Sequence, residues 1–230
     1  MENKGILYGV GVGPGDPELM TLKAVRVIRA CRIIAVPVVP GRETRESLAY
    51  RIAVQAVPEL EEKELLAISR PMTREPEVLE ESHRDGAARI RAFLDQGEDV
   101  AYLTLGDPAV YSSFSALQKR LQEQGCDVRQ VSGVPSFCAA AAVLGIPLAE
   151  GSEPLRIFPE LQEPEAALAQ PSNLVLMKHG RSLAEVREQL TASGRTAAAA
   201  ENCGLPDERL YPDAASFPDR AGYFTVVLIK

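Results

Sequence analysis

The chain has 230 residues, of which 46% are hydrophobic and 25% are charged, a composition typical of globular proteins with a well-buried core. Its 25 basic and 32 acidic residues give a net charge of −7, which argues against a surface built mainly for nucleic-acid backbone, since such surfaces need clustered Lys and Arg. This length allows one large or two compact domains, and we expect two.

No apolar run reaches transmembrane length, and the first residues lack the basic segment, long apolar segment and cleavage site of a signal peptide. We therefore predict a cytoplasmic protein. The four cysteines are scattered without a C-x-x-C pair and with only His83 and His179 to assist them, so neither a zinc site nor a disulfide framework is expected. Cys31 and Cys138 lie among apolar residues and are expected to be small buried side chains.

Short apolar strands, Gly/Pro turns and amphipathic helices alternate along the chain, which predicts an α/β fold with largely parallel strands. Residues 70–97 interrupt the pattern like an insertion whose second half is helical. The predicted helices cover 18–31, 46–57 and 110–124, and the predicted strands cover 6–12, 32–39, 64–69, 99–106 and 126–133.

The second half continues with helices and strands, ending in an apolar run that we expect to be a buried strand. Composition alone would place a domain linker at 145–154, which is rich in turn residues. The predicted helices cover 136–145 and 183–194, and the predicted strands cover 155–158, 173–178, 196–202 and 222–230.

The stretch YGVGVGPGDPELMTLKAVRVIRA, at 8–30, leads from the first strand into a helix through alternating glycines. Its glycines and Pro14 do not match the G-x-G-x-x-G register of a dinucleotide site. The second predicted strand also offers no acidic residue for a ribose before Glu43. An NAD-type oxidoreductase is therefore disfavoured.

Phosphate binding at this turn meets an electrostatic objection. Asp16 is placed to cap the following helix, Pro17 to begin it, and Glu18 to lie in its first turn, so two carboxylates occupy its positive end. Glycine and proline leave a main chain that a bulky flat ligand can approach closely. The alternative is that the glycines serve only a tight strand-to-helix turn.

Three ordered stretches, GVGPGDPELMTLKA, LTLGDPAVYSSF and VSGVPSFCAAAAVLGIPL, resemble motifs of the tetrapyrrole methyltransferases of corrin and siroheme synthesis, which use S-adenosylmethionine (SAM). The resemblance implies two α/β domains with an active-site trough between them, usually in a homodimer. It places the domain boundary after the Gly-Asp-Pro motif, so we predict domains at 1–114 and 115–230 in preference to the compositional linker.

Within this family, the opening motif, GDPAVYSSF and SFCAAAA look most like the methyltransferases that act at C20 of precorrin-2 or of its cobalt-containing counterpart, cobalt-factor II, in cobalamin biosynthesis. Members that methylate uroporphyrinogen usually have Thr-Ala where this chain has Pro135, Ser136 and Phe137. The predicted partner is therefore a small tetrapyrrole, with neither nucleic acid nor membrane. Any metal would belong to the substrate.

The resemblance also implies SAM-binding residues. Gly106, Asp107 and Pro108 would line the methionine part beside Tyr111, and Ser136 and Phe137 would add to the pocket. Met177 would bind adenine through main-chain groups at a strand end, Thr225 would close the adenosine pocket, and Pro14 would face the trough. Ordinary structural roles stay open, with Asp107 as a helix cap, Met177 as a core residue and Thr225 as a plain strand residue.

The substrate carries many carboxylates, so an acidic protein must still present local cations to it. Candidates are Arg42, Arg45, Arg70, Arg74 and Lys178. Direct transfer of the sulfonium methyl needs no protein nucleophile, and the candidates for a base that removes a proton afterwards are Asp107, Tyr111 and His179.

Other functions remain open at this point. A methyltransferase of the same fold could act on a different tetrapyrrole carbon or on ribosomal RNA ribose, although the net charge counts against RNA. A non-catalytic tetrapyrrole carrier would need only a flat apolar trough with a basic rim. Binding of S-adenosylhomocysteine separates a methyltransferase from such a carrier.

Overall fold

The computed structural model describes residues 4–73, 75–159 and 164–230. The chain divides into two compact units, Met1–Val134 and Pro135–Lys230, each built on a five-stranded sheet. This division lies later than the boundary predicted near residue 114 and earlier than the linker suggested at 145–154. The reason is that residues 127–131 form a strand that pairs with the first strand of the chain, so the first sheet needs them.

The first unit is a parallel α/β sheet with helices on both faces. Its strand order is β3-β2-β4-β1-β5, and every pairing is parallel. The strands are β1 (Ile6–Gly11), β2 (Ile33–Val38), β3 (Glu64–Ser69), β4 (Val100–Thr104) and β5 (Asp127–Val131), and the helices are α1 (Leu22–Ala30), α2 (Leu48–Ala56), α3 (Pro76–Leu94) and α4 (Phe114–Glu123).

Alternate residues of each strand belong to two different cores. Ile34 and Leu103 pack with α1 and α2 on one face, whereas Ile33 and Tyr102 pack with α3 and α4 on the other. This alternation follows from the two-residue period of a strand. The continuous apolar composition of β2 and β4 reflects burial on both faces.

Helix α3 corrects the expectation of an insertion at 70–97. It connects β3 to β4, and Gly86, Ala87, Ile90 and Leu94 on its inner face are buried against the sheet. Its many charged residues lie on the opposite, solvated face, which is why the segment resembles an insertion in the sequence.

The helix predicted over 18–31 is interrupted. Asp16 does act as a cap, because its side chain accepts a hydrogen bond from the Glu18 amide, but the helix that it caps is a 3-10 turn at Pro17–Leu19. Thr21 then caps α1 by accepting from the Ala24 amide. The chain therefore has two N-cap residues in succession, and the electrostatic objection to phosphate at Asp16 applies to the 3-10 turn rather than to α1.

The second unit has a mostly antiparallel sheet with the order β6-β7-β10-β8-β9, so the expectation of largely parallel strands is wrong for this half. Among the described strands of this sheet, only β6 and β7 pair in parallel. The strands are β6 (Leu155–Phe158), β7 (Asn173–Met177), β8 (Ala197–Glu201), β9 (Arg209–Tyr211) and β10 (Thr225–Ile229), and the helices are α5 (Ser136–Leu144), α6 (Pro164–Leu168) and α7 (Leu183–Ser193).

The second sheet is also covered on both faces. Helices α6 and α7 pack on one face with Leu176, Ala199 and Val227, and α5 packs against β8 and β10. The final strand β10 is buried along its whole length and lies between β7 and β8. The expectation that the last apolar run is a buried strand is thus confirmed.

All four cysteines are free thiols. Cys31 is buried, and burial raises the pKa of its thiol to about 12, whereas Cys138 is only partly buried. Throughout the described ranges, no helix combines the length and apolar character needed to cross a bilayer.

Candidate functional site

Three loops meet at the carboxyl edge of the first sheet. Gly13, after β1, and Gly106, after β4, exchange two backbone hydrogen bonds of 2.8 and 3.3 Å. A methyl group at Gly11 would lie 2.6 Å from the Gly106 oxygen and 2.7 Å from the Gly133 nitrogen, so this approach of main chain to main chain requires glycine. The alternating glycines therefore bring the β1 and β4 loops together, and Pro14 follows directly after this contact.

Asp107 joins two of these loops. It is 9% exposed, and its Oδ1 accepts a hydrogen bond from the Ala109 amide at 2.8 Å while its Oδ2 accepts one from the Gly133 amide at 2.9 Å. Both carboxylate oxygens are thus committed to main-chain donors. The capping role expected for Asp107 exists, but it organises the turn after β4, since α4 begins only at Phe114.

The residues after Asp107 form a tight, strained turn. Pro108 is buried, whereas Tyr111 is half-exposed and has a φ of 46°, a conformation that non-glycine residues rarely adopt. The Thr104 and Ser112 hydroxyls lie 2.8 Å apart and hold the turn against β4. Strained residues of this kind cluster at functional sites, which supports a functional reading of this turn.

The topology of the first unit also points to this edge. The chain leaves β1 toward β2 by way of α1 on one face and leaves β4 toward β5 by way of α4 on the other. In open α/β sheets, ligands bind outside the carboxyl ends of the strands at such a switch point. Pro14 and the Gly106–Tyr111 turn lie there.

In the second unit, Ser136 and Phe137 are the first two residues of α5. Phe137 is buried at 7% exposure, and Ser136 is partly buried. Pro135 occupies the capping position of this helix without a side-chain hydrogen bond. The Phe137 ring therefore belongs mainly to the interior, which leaves Ser136 as the more accessible of the two.

Met177 ends β7 and pairs with Val226 of β10. The neighbouring Lys178 amide donates to the Thr225 carbonyl at 3.1 Å. Because hydrogen-bonded and non-hydrogen-bonded pairs alternate along an antiparallel ladder, the main-chain groups of Met177 point away from β10. Its carbonyl lies 2.6 Å from Nδ1 of His179, and since a carbonyl only accepts, this nitrogen carries the proton.

Thr225 begins β10 at the same edge of the second sheet as Met177. It is completely buried, and its hydroxyl donates to the Gly222 carbonyl at 2.7 Å. Lys178 has a left-handed backbone with a φ of 62°, and its ammonium lies 5.8 Å from the centre of the Tyr223 ring. The topology thus places near each other the two residues that the family resemblance assigns to adenosine.

Sequence reasoning missed Glu201, the last residue of β8. It is 7% exposed, and its Oε1 accepts from the Gly222 amide at 2.5 Å while its Oε2 accepts from the Tyr211 hydroxyl at 2.7 Å. Burial, and then this hydrogen bond, raise the pKa of the Tyr211 phenol. The sequence does contain a sign of this role, because an acidic residue that directly follows four alanines in a buried strand needs a hydrogen-bond partner.

The candidate cations differ in what they already bind. Arg45 donates to the Glu61 carbonyl at 3.1 Å, and Arg42 lies 3.7 Å from Glu46. The Arg70 guanidinium forms no hydrogen bond or ion pair with any residue that the structure describes. Arg74 lies outside the described residues.

The charge of Arg70 acts on Tyr102, the middle residue of β4. Burial raises the pKa of Tyr102, while its hydrogen bond with Ser113 and the nearby Arg70 charge oppose that increase. Arg70 directly follows β3 and is therefore at the same sheet edge as the Gly106–Tyr111 turn. Of the four candidates that the structure describes, it is the available cation of the first unit.

The model of the family described as Tetrapyrrole (Corrin/Porphyrin) Methylases matches residues 6–216. The chain belongs to this family. A probable cobalt-precorrin-2 C(20)-methyltransferase of Methanocaldococcus jannaschii is 38% identical over 172 residues, covering 75% of this chain and 71% of the relative. A precorrin-2 C(20)-methyltransferase of a Sinorhizobium species is 32% identical, covering 98% of this chain and 95% of the relative.

A solved structure has the same fold. The uroporphyrin-III C-methyl transferase of Thermus thermophilus, complexed with S-adenyl homocysteine, has a TM-score of 0.69 at 23% identity and covers 97% of both chains. The family resemblance and the α/β methylase fold inferred from the three motifs are thus confirmed. The roles carried over to individual residues remain predictions.

Proposed function

We propose that this protein transfers the methyl group of SAM to C20 of precorrin-2 or of cobalt-factor II in cobalamin biosynthesis. The observation that carries this proposal is the match to a named C20 methyltransferase along nearly the full length of both chains. A second relative with the same positional specificity in its name is more similar still, at 38% identity.

The residues in each unit fit SAM by the chemistry they present. In the first unit, Gly11, Gly13 and Gly106 pack main chain closely against main chain, and Pro14 and Gly106 at this contact stay partly exposed. In the second unit, the main-chain groups of Met177 point out of the ladder with β10. We propose that SAM is held by Pro14, Gly106, Asp107, Pro108, Tyr111, Ser136, Phe137, Met177 and Thr225.

When bound, SAM supplies an electrophilic methyl group on a sulfonium sulfur. The conjugated pyrroles of the substrate supply electron density at a meso carbon, so no nucleophile from the protein is required. The residues of this chain orient the two reactants, and alignment of this kind contributes roughly 7–11 kcal/mol in intramolecular analogues. Asp107 acts here through the loops that it joins, since both of its oxygens accept main-chain hydrogen bonds.

Arg70 is the proposed contact for a substrate carboxylate. Its guanidinium can bind a carboxylate through two parallel hydrogen bonds. Within the described part of the chain this guanidinium has no hydrogen bond or ion pair that would have to break before it binds the substrate. Arg42 and Arg45 would have to leave their interactions with Glu46 and Glu61.

The decisive experiment uses SAM carrying a labelled methyl carbon. The protein is incubated with metal-free precorrin-2 and, separately, with cobalt-factor II, and the label is located by carbon NMR. Label at C20 is expected, and label at another carbon would contradict the positional assignment. A tetrapyrrole carrier would show no calorimetric binding of S-adenosylhomocysteine, whereas a methyltransferase is expected to bind it in about the micromolar range, near −8 kcal/mol.

The proposal includes a homodimer, as the family resemblance implies, and a cytoplasmic location, as expected from the sequence. Analytical ultracentrifugation of the purified chain at micromolar concentration is expected to give the mass of two copies, and a species at 24.9 kDa would contradict the dimer.

A further inference from the structure

We propose that Glu201 is a positioning residue for the methyl donor, because it fixes the turn at 221–225 against the ends of β7 and β8. This inference rests on the proposed function, in which Met177 binds the adenine of SAM and Thr225 closes the adenosine pocket. Glu201 belongs to none of the three sequence motifs that suggested that function.

The turn at 221–225 is tied at both ends. The Ala221 amide donates to the Gly180 carbonyl at 2.7 Å, and the Thr225 carbonyl accepts from the Lys178 amide at 3.1 Å. Between these points, the Gly222 amide donates to Glu201 and the Gly222 carbonyl accepts from the Thr225 hydroxyl. Glu201 is therefore the side chain that holds the middle of the turn from the neighbouring strand β8.

The packing around Gly222 leaves the turn little freedom. A methyl group at Gly180 would lie 2.0 Å from the Gly222 carbonyl oxygen, and one at Gly222 would lie 2.9 Å from Oε1 of Glu201. A shift of Gly222 would therefore move the chain at Gly180, three residues after Met177. The same shift would move Thr225, whose hydroxyl is bonded to Gly222.

The second oxygen of Glu201 anchors the edge strand β9 through Tyr211. The Tyr211 ring lies edge-on to Phe217, with centroids 6.3 Å apart. Both hydrogen-bond partners of Glu201 are donors, so the carboxylate acts as a pure acceptor. A glutamine could replace it, since its amide oxygen can accept from Gly222 and its amide nitrogen can donate to the Tyr211 oxygen, which accepts as well as donates.

Positioning by hydrogen bonds predicts a specific order among the variants. Glu201→Ala is expected to weaken S-adenosylhomocysteine binding by about tenfold and to raise KM for SAM, because the Gly222 amide loses its buried acceptor. KM for the tetrapyrrole should stay unchanged. Glu201→Gln should restore binding to within about threefold of the wild type. The matched control is Glu153→Ala, which removes a carboxylate bonded to Asn173 at the other edge of the same sheet and should leave both KM values unchanged.

The measurements are calorimetry with S-adenosylhomocysteine, steady-state kinetics with both substrates and circular dichroism of each variant. If Glu201→Ala fails to fold, Tyr211→Phe removes one of the two bonds and is expected to weaken S-adenosylhomocysteine binding by about threefold. Wild-type affinity in Glu201→Ala, or in Tyr211→Phe where that variant replaces it, would overturn the proposal. The proposal would also be overturned if Glu201→Gln lost as much affinity for S-adenosylhomocysteine as Glu201→Ala, since the charge and not the hydrogen bonds would then matter.

The failure of this proposal is distinguishable from the failure of the proposed function. A wild-type protein that neither binds S-adenosylhomocysteine nor methylates precorrin-2 would refute the function. A wild-type protein that does both, together with variants of unchanged affinity, would refute only the positioning role.

Discussion

Replacement of Asp107 by asparagine tests whether this residue holds the β4 and β5 loops together. The aspartate accepts hydrogen bonds from the Ala109 and Gly133 amides, one at each oxygen. Asparagine has nearly the same shape but only one acceptor oxygen. Whichever way the amide is oriented, its NH₂ group faces one of the two main-chain N–H groups.

The expected cost follows from this geometry. A buried donor left without an acceptor costs about 1–3 kcal/mol, and Asp107 is only 9% exposed. For a chain of this size, each kcal/mol corresponds to roughly 2–4 °C in Tm. We therefore expect Asp107→Asn to unfold about 2–12 °C below the wild type. The loss concerns the first unit, because both amides belong to it.

Urea unfolding followed by circular dichroism measures the global effect, and amide hydrogen exchange at Gly133 measures the local one. Exchange at this amide should accelerate by about 5- to 150-fold, which is the same 1–3 kcal/mol expressed as a ratio. Asp16→Asn is the matched control, because Asp16 accepts one cap hydrogen bond from Glu18 and asparagine caps as well as aspartate. Equal stability and equal Gly133 exchange in the two variants would refute the reasoning.

Three further predictions follow from other parts of the structure. Gly11→Ala should lower the free energy of unfolding by about 1–3 kcal/mol, because the new methyl group meets main chain at 2.6 Å. The control is Gly86→Ala in α3, whose methyl group meets only side-chain ends at 3.0 and 3.3 Å and should change the free energy of unfolding by less than about 1 kcal/mol. Equal losses of stability for the two variants in urea unfolding would contradict this prediction. Burial, and then the neighbouring carboxylate, raise the pKa of Tyr211, so the contribution of its phenol to stability is present below a pH of about 10 and is lost as the pH rises through the folded-state pKa. The difference in free energy of unfolding between the wild type and Tyr211→Phe should therefore shrink above that pH. A difference that stays constant in urea titrations at alkaline pH would contradict this prediction. Arg70→Ala should raise KM for the tetrapyrrole by about tenfold without changing KM for SAM. The control is Arg84→Ala, which replaces an exposed arginine and should leave both KM values unchanged. Unchanged kinetics in Arg70→Ala would exclude Arg70 from the substrate site.

The secondary structure of this chain is largely readable from its sequence. The strands expected at 64–69 and 155–158 coincide with β3 and β6, because both are apolar runs between clear turn signals. The start of α1 was missed because two capping residues, Asp16 and Thr21, compete, and local sequence does not say which one begins the longer helix. Strand β9 was missed because three residues give no usable period.

Strand partners were less predictable than strands. The apolar run of β10 indicates a strand, but nothing in its own residues specifies antiparallel pairing with β7 and β8. That choice depends on how helices of the second unit cover both faces, which is a property of the whole sheet. The mixed topology of the second sheet therefore could not be predicted from local sequence patterns.

The candidate site was only partly predictable from the sequence. The glycines of the first motif were expected to let a flat ligand approach the main chain, whereas the structure shows that Gly11 and Gly13 bring other main chain close, from the loops after β4 and β5. The commitment of both Asp107 oxygens and the buried role of Glu201 depend on residues distant in the chain, at Gly133 and Gly222. Such partners become visible only in three dimensions.

The place of β10 has a consequence for synthesis of the protein on the ribosome. All strands of the first sheet are translated by residue 131, so that sheet can assemble while the rest of the chain is still being made. Strands β7 and β8 emerge earlier than the strand that must separate them, and their inner edges stay unpaired until residue 229 has left the exit tunnel. During that interval the nascent second unit presents open strand edges, which makes it the half that most needs protection by chaperones.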